Sequence, residues 1–434
     1  MTSVFLVNDS RAQNNWGCRA TTTALISLIE GEGARIIGNI GHAPHTDYAG
    51  RSEFKLVARS TLKRLPIIHQ AARHASVRWQ KIQGPKRGFI RSLDDFPVAA
   101  EAVDRGEIWR VEGQMLRTAD VTIVNGEGSI YGQQLKGFLA LFWAWYAKSR
   151  HGKSVAFVNH TADLSDPELR RAAEYVYPLL DDVSFREPVS QRECAYAAPQ
   201  AQGGVVPDAA FCHRPVPMSA LCDLASRRGL FSIWPYDADN FDISRPYLAV
   251  TGSSALNRPE TSTNSTTSAQ FTKLCEELQK LGLPVILVAP DPTDAEFLVP
   301  VARALKLPFI APSTPLPLAH QVLAHASCLV GGRWHPGILA ATGGTPLVNM
   351  TANTKKTTAL LEQLDLDTTT FDCTNLQDSI KDLVDLTATY LEQGEQLRNR
   401  IRERADILRA QASGNVRLLR SIESLPHQVS AAAL

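Results

Sequence analysis

A long apolar run is missing from this sequence. Its most apolar stretch, 137–147, holds eleven residues between Lys136 and Lys148. A membrane-spanning helix needs about 18 to 20, so the stretch reads as a buried helix. The opening MTSVFLVNDS has no basic segment leading into an apolar one, and no signal peptide is expected. Cysteine is sparse too: seven residues, at 18, 194, 212, 222, 275, 328 and 373, with no CxxC pair. That pattern argues against a disulfide framework and a structural zinc site, and a reducing cytoplasm is the expected compartment. Cys18 alone sits at a candidate helix start, where a thiolate would be stabilised; a small buried thiol is the simpler reading. An excess of one charge is also lacking. Lys and Arg number 45 and Asp and Glu 44, a net charge of +1, which gives no whole-chain case for nucleic acid. With 44% apolar and 21% charged residues the composition is globular.

What is present is an alternation of short apolar runs with helical stretches. The 434 residues exceed one ordinary core and suit two domains. Val4–Val7 reads as a strand, 8–17 as a polar turn-rich loop, Ala20–Glu30 as a helix and Arg35–Ile40 as a second strand. Residues 51–118 read as a mainly helical insertion, broken near Gly84 and Pro85. Further strands are expected at Val121–Val124, Ser154–Val158, Asp182–Phe185 and Gly204–Val206, which completes a doubly wound sheet over 1–215. A proline- and arginine-rich stretch, 213–246, marks the domain junction. Over 245–375 the pattern restarts: strand Tyr247–Thr251, polar loop 261–268, helix Ser268–Leu281, strand Val285–Ala289 and helix 293–306. Strands Cys328–Val330 and Leu347–Val348 follow, separated by a helix starting near Pro336, and 376–434 forms a helical tail. The expected fold is α/β, two Rossmann-like domains in a GT-B-like architecture with a helical C-terminal tail, and an active site in the cleft.

The stretch 329–348, LVGGRWHPGILAATGGTPLV, carries the most chemistry. An apolar strand runs into Gly331 and Gly332, and Pro336 suits a first helical turn. Arg333, Trp334 and His335 are then expected at the carboxyl end of a strand and the amino end of a helix. Open α/β sheets bind ligands there, and unpaired N–H groups favour anions. An arginine at that place can grip phosphate or carboxylate with two bonds, and a histidine has the pKa range for acid–base work. An interdomain ion pair beside a buried histidine fits the same residues. A second segment, Asn125, Gly126, Glu127, Gly128 and Ser129, reads as a glycine-rich loop after a strand. It suits backbone contact with an anion or a sugar, with Glu127 bonding or deprotonating an acceptor hydroxyl; a glycine turn with a capping Glu and Ser fits equally. Asp208 reads as a loop-ordering carboxylate rather than a catalyst. His42 and His45 have no third ligand nearby, and no metal is expected.

Taken in order, these segments resemble the polysaccharide pyruvyl transferase family. The Gly-Arg-x-His stretch ending at His335 is similar to its carboxy-terminal signature. Asn15 and Gly17 before a helix resemble its Asn-x-Gly loop, with Cys18 where an aspartate is common. Asn125–Ser129 resembles its glycine-rich loop, with Glu127 in place of the usual glycine. Arg186, Glu187 and Ser190 resemble its Arg-acidic-x-x-Ser element, Pro207 and Asp208 its Pro-Asp element, and Lys356 a late lysine. The resemblance spans about 15–366 and leaves 51–118 uncovered. It implies phosphoenolpyruvate as donor, a sugar or glycan acceptor, free or lipid-linked, a pyruvate ketal as product and no further cofactor. It implies catalytic roles for His335, Arg186 and Arg333, and substrate contacts from Asn15, Gly17, Asn125, Gly126, Glu127, Gly128, Ser129, Trp334 and Lys356.

Residues 51–91 hold eleven Lys or Arg against one acid, Glu53, with Phe54, Trp79 and Phe89 between them. Such a stretch suits peripheral contact with an anionic membrane or a pyrophosphate-linked lipid, and a solvated helical face fits it equally. Two rival functions share the fold: a glycosyltransferase using a sugar nucleotide, and a non-catalytic glycan-binding protein. The helix after His335 carries no acid to hold a ribose, which counts against the first. The second would not need Arg186, Arg333 and His335 together.

Overall fold

The computed structural model describes residues 1–41, 84–225, 242–257 and 264–423. His42, His45 and most of the basic stretch 51–91 lie outside the described residues.

Two parallel sheets organise the chain. β1 (Ser3–Val7), β2 (Arg35–Ile40), β3 (Val121–Tyr131), β4 (Ser154–Asp163) and β5 (Asp182–Phe185) form the first, in the order β2-β1-β3-β4-β5. β6 (Leu248–Ser253), β7 (Val285–Val288), β8 (Phe309–Ile310), β9 (Cys328–Gly332), β10 (Leu347–Met350) and β11 (Thr370–Phe371) form the second, in the order β11-β10-β9-β6-β7-β8. Helices cover both faces of such sheets, so their strands read as continuous apolar runs; β7, Val-Ile-Leu-Val, is buried throughout. Strand order reverses at β1/β3 in one sheet and at β6/β9 in the other. Connections on either side of such a seam leave toward opposite faces, which opens a crevice at the carboxyl edge. One cavity is lined by residues from the carboxyl ends of both sheets.

The domains are joined by packing as well as by chain. Trp16 and Ala20, from the helix Trp16–Gly31, belong to the second sheet's apolar core, and the Trp16 indole donates to the Pro312 carbonyl at 3.0 Å. The tail helix Ile380–Ala412 packs Leu383, Leu397 and Ile401 on the second domain and kinks at Gly394, where φ is +50°. Its continuation, Arg417–Glu423, returns to the first domain, where Val416 and Leu419 enter the core. Arg417 Nε meets Asp182 Oδ2 at 3.0 Å and Arg420 Nε meets Glu32 Oε1 at 2.9 Å. Among the described residues no helix is long and apolar enough to cross a membrane; the stretch 137–147 falls within the buried helix Leu135–Trp145 and the turn that follows.

Several expectations need correction. Gly204–Val206 is not a strand: Val206 N bonds Phe185 O at 3.0 Å, and the next residue, Pro207, has no N–H to extend the ladder. The segment 125–129 is not a loop. It lies inside β3, where Asn125 pairs with Val158 and Glu127 with His160 before the register shifts. The helix expected at Pro336 begins at Trp334 with Arg333 as its cap, so Pro336 occupies the first turn, where no intrahelical donor is lost. The polar loop 261–268 gives way to helix at Asn264. β8 and β11, two residues each, carry no periodicity to read, and the helix Leu316–His325 was also unforeseen.

Candidate active site

The cavity between the sheets has a volume of about 200 Å³. Its first-domain wall comes from Asn15, Gly17 and Cys18 at the start of a helix, from Glu127, Gly128 and Ser129 of β3, from Lys136, and from Arg186 just past β5. Its second-domain wall comes from Ser254, Asp291, Arg333, Trp334, His335, Asn353 and Lys356, which follow β6, β7, β9 and β10. A larger groove, about 640 Å³, lies over Lys273, Glu277, Ile380 and Lys381 and holds none of these residues.

Asp208 organises the centre. It is fully buried, and its Oδ2 accepts from Arg186 Nη1 at 2.7 Å, Trp334 Nε1 at 3.0 Å and His335 Nε2 at 3.2 Å. Its Oδ1 accepts from Thr21 Oγ1 and Ala210 N, both at 2.9 Å. Burial alone would raise this carboxyl's pKa. The charges of His335 and Arg186, with their hydrogen bonds, outweigh burial and hold it well below the usual carboxylate range. An ionised Asp208 therefore fixes both partners. Arg186 also donates from Nε to Thr161 Oγ1 at 2.9 Å, and its guanidinium lies 5.0 Å from the centroid of the Trp334 ring. Its Nη2 makes no hydrogen bond among the described residues and lies beside Gly128 on the cavity wall.

With Nε2–H donated to Asp208, the His335 ring presents Nδ1 toward Gly17. A Cβ on Gly17 would stand 2.1 Å from that Nδ1, so only glycine lets the first helix approach the ring. Gly17→Ala is therefore expected to displace His335 and cost roughly 10²-fold in kcat, the usual effect of a misplacement near 1 Å. Alanine favours helix over glycine by about 1 kcal/mol, so the melting temperature should hardly fall. Turnover and melting measured on the same variant check this; unchanged turnover would mean the ring tolerates the shift.

Arg333 is steered by Asp294, whose Oδ1 accepts from Nη2 at 2.7 Å and Nε at 3.2 Å, and Thr293 Oγ1 lies 3.2 Å from Nη2. Burial lifts the Asp294 carboxyl to about 6, even against the arginine's charge. Lys356 donates to Asn353 Oδ1 at 2.6 Å, and burial followed by the charges of Arg186 and Arg333 pushes its ammonium down to about 7. Lys136, Arg186, Arg333 and Lys356 thus line the cavity together with two carboxyls, Glu127 and Asp291, while Asp208 and Asp294 pair with the two arginines from behind. Cationic groups outnumber carboxyls on the cavity surface itself, four to two.

Glu127 departs from the pattern. Its φ is +46°, a left-handed conformation that costs a non-glycine residue about 1–3 kcal/mol. Burial raises its carboxyl's pKa, opposed by the Ser10 hydrogen bond and the charges of His335 and Arg186. Its neighbours Asn125 and Gly126 do not line the cavity, contrary to expectation. Asn125 is fully buried, donating to Thr22 Oγ1 at 3.0 Å and accepting from Asn159 Nδ2 at 2.9 Å. Gly126 leaves room for His160, whose Cβ would lie 2.4 Å from an added Cβ. Asn15 lines the cavity, but its Oδ1 caps the first helix at Gly17 N, 2.8 Å, and its Nδ2 donates to Asp291 Oδ2 at 2.7 Å. Burial and Glu127 push the Cys18 thiol well up, so no thiolate forms at that helix start. Asp208 orders its loop through Ala210 and, beyond what the sequence suggested, holds the three central side chains. Lys136, Ser254, Asp291, Asp294 and Asn353 were not foreseen; the run Asp291-Pro-Thr-Asp294 after an apolar strand was a readable helix start at a sheet's binding edge.

The sequence pattern that defines polysaccharide pyruvyl transferases matches residues 45–353, a span that holds Glu127, Arg186, Asp208, Arg333 and His335. The chain belongs to the polysaccharide pyruvyl transferase family. Asn15, Gly17 and Lys356 lie outside the matched span and reach the same cavity. Comparison with curated protein sequences gives no match. Among solved structures, S. aureus MnaA in complex with UDP is similar in fold, with a TM-score of 0.54 and 11% identity over 98% of this chain and 96% of that one. The UDP-GlcNAc 2-epimerase of Neisseria meningitidis bound to UDP-GlcNAc has a TM-score of 0.52 and 11% identity over 97% of this chain and 100% of that one. At such identity the likeness is one of fold: this pyruvyl transferase family member is built as a GT-B protein.

Proposed function

We propose that the protein transfers the enolpyruvyl group of phosphoenolpyruvate to two hydroxyls of a sugar or glycan, forming a pyruvate ketal and releasing phosphate in the cytoplasm. One observation carries this reading: a small cavity joins four cationic side chains to a histidine held by a buried carboxylate. The donor's phosphate and carboxylate need cations on more than one side. Arg186 and Lys136 offer them on the first-domain wall, Arg333 and Lys356 on the second. Protonation of the donor's C3 gives C2 oxocarbenium character, which an acceptor hydroxyl attacks. His335 is suited to deliver that proton, because it lines the cavity and Asp208 takes its Nε2–H and stabilises the imidazolium.

Calorimetric titration with phosphoenolpyruvate tests the donor assignment. Arg333→Ala and Arg186→Lys should each weaken binding roughly 10- to 100-fold, since a hydrogen bond to a charged group contributes about 1.5–3 kcal/mol and an ammonium cannot copy the guanidinium fork. Wild-type affinity in both variants would sink the assignment.

Lys356 adds a pH dependence. With its ammonium at about 7, the cavity holds this charge at pH 6 and has lost most of it by pH 8.5. The ratio of wild-type to Lys356→Gln donor affinity should therefore fall toward one as pH rises through 7. The donor's own phosphate titrates alike with both proteins and cancels in that ratio. A ratio that does not move with pH would remove Lys356 from donor binding.

A further inference from the structure

The donor reading leaves Glu127 unused, although this residue holds a positive φ inside a buried strand. Its nitrogen and oxygen donors reach one oxygen: Ser10 Oγ, Thr22 Oγ1 and Asn125 Nδ2 converge on Oε1, the last two at 3.3 Å each, and the weakly donating Cys18 thiol is a further neighbour of the carboxyl. Oε2 accepts no hydrogen bond from nitrogen or oxygen among the described residues, and it is open to the cavity that Glu127 lines. A carboxyl kept for packing would have both oxygens engaged. The arrangement instead clamps one oxygen and aims the other. Glu127 also stands on the first-domain wall, opposite Arg333 and Lys356.

We infer that Glu127 is the general base for the acceptor: its Oε2 takes the proton of the sugar hydroxyl that attacks the donor's C2. This rests on the donor reading above. The acceptor class is a sugar diol whose two oxygens both reach C2. In the first step the hydroxyl oxygen bonds to C2, its proton passes to Glu127, and His335 gives its proton to C3, where the alkene's electron pair becomes a C–H bond. The C2–O bond to phosphate then breaks, and the departing phosphate takes the proton from Glu127. The second hydroxyl closes the ketal at C2 and returns its proton to His335. Acid and base are both restored, and nothing is oxidised or reduced.

Glu127→Gln tests this directly, because glutamine keeps the Oε1 acceptor for Ser10, Thr22 and Asn125 and exchanges only Oε2 for an NH₂ group. Phosphoenolpyruvate affinity is measured by calorimetry, and turnover by phosphate release across a panel of glycosides. The variant should bind the donor within about 3-fold of wild type and lose about 10²- to 10⁴-fold in kcat, the range of positioned acid–base catalysis. Glu127→Gly, in which the positive φ carries no strain, should recover turnover on addition of formate, a mobile carboxylate. Near wild-type turnover in the glutamine variant overturns the role, as does a glycine variant that formate does not restore. A wild-type protein that neither binds nor consumes phosphoenolpyruvate fails at the donor reading itself, a result distinct from failure of either variant.

Discussion

A His335→Ala enzyme should still bind phosphoenolpyruvate and turn it over about 10²- to 10⁴-fold more slowly, the contribution expected of a positioned general acid. Donor affinity should survive because Arg186, Arg333, Lys136 and Lys356 all remain on the cavity wall. The fold should survive as well. His335 keeps some surface, and Asp208 retains Arg186 and Trp334 as partners after the ring is gone. Melting temperature, donor Kd and single-turnover rate on one preparation separate chemistry from folding. A stable, donor-binding variant with wild-type turnover would take histidine out of the mechanism.

Asp208→Ala should do the greatest damage to the site's structure. The Arg186–Asp208 pair is buried at 1% and 0% exposure, and removing one partner of such a pair leaves the other charge uncompensated. That costs about 3–5 kcal/mol, a large share of the roughly 5–15 kcal/mol by which domains are stable. At about 2–4 °C per kcal/mol for a domain near this size, the first domain should melt some 6–20 °C lower. The sign with pH follows from the depressed pKa of Asp208. Its stabilisation is complete above the unfolded value, about 3.9, and is lost only as pH falls through the lower folded value. The part of the gap that comes from Asp208's own ionisation should accordingly stay constant from pH 5 to 8 and close in strong acid. Asp208→Asn, which keeps an acceptor oxygen without the charge, should melt closer to wild type and still turn over slowly, because the imidazolium loses its counter-charge. Calorimetric melting of both variants checks this, and an Asp208→Ala protein that melts with wild type would contradict it.

Much of the fold was legible because parallel strands buried on both faces leave uninterrupted apolar runs. Val285–Val288 and Val121–Val124 could be placed on composition alone. The stretch around Arg333 and His335 was legible for a related reason, since glycine at the end of a strand and proline directly after a histidine mark a strand-to-helix turn. What stayed hidden depends on tertiary distance. Asp208 looks like a turn residue after proline, while its partners Arg186 and Trp334 lie 22 and 126 positions away. Glycine at 126 and 128 suggested a loop, yet Gly126 is needed inside a strand to admit His160. The aim of Glu127 depends on Ser10, Thr22 and Asn125, which share no local pattern with it. The family pattern covers 45–353 and so reports most of the site, but Gly17, outside it, lines the same cavity against the ring of His335.

The central claim is that this cavity takes phosphoenolpyruvate. Calorimetric titration of the wild-type protein with phosphoenolpyruvate and, separately, with UDP-N-acetylglucosamine tests it most directly. Saturable binding of phosphoenolpyruvate that is weakened by Arg333→Ala, followed by phosphate release once a diol-bearing glycoside is added, is the predicted result. Binding of the sugar nucleotide with none of phosphoenolpyruvate would contradict the account.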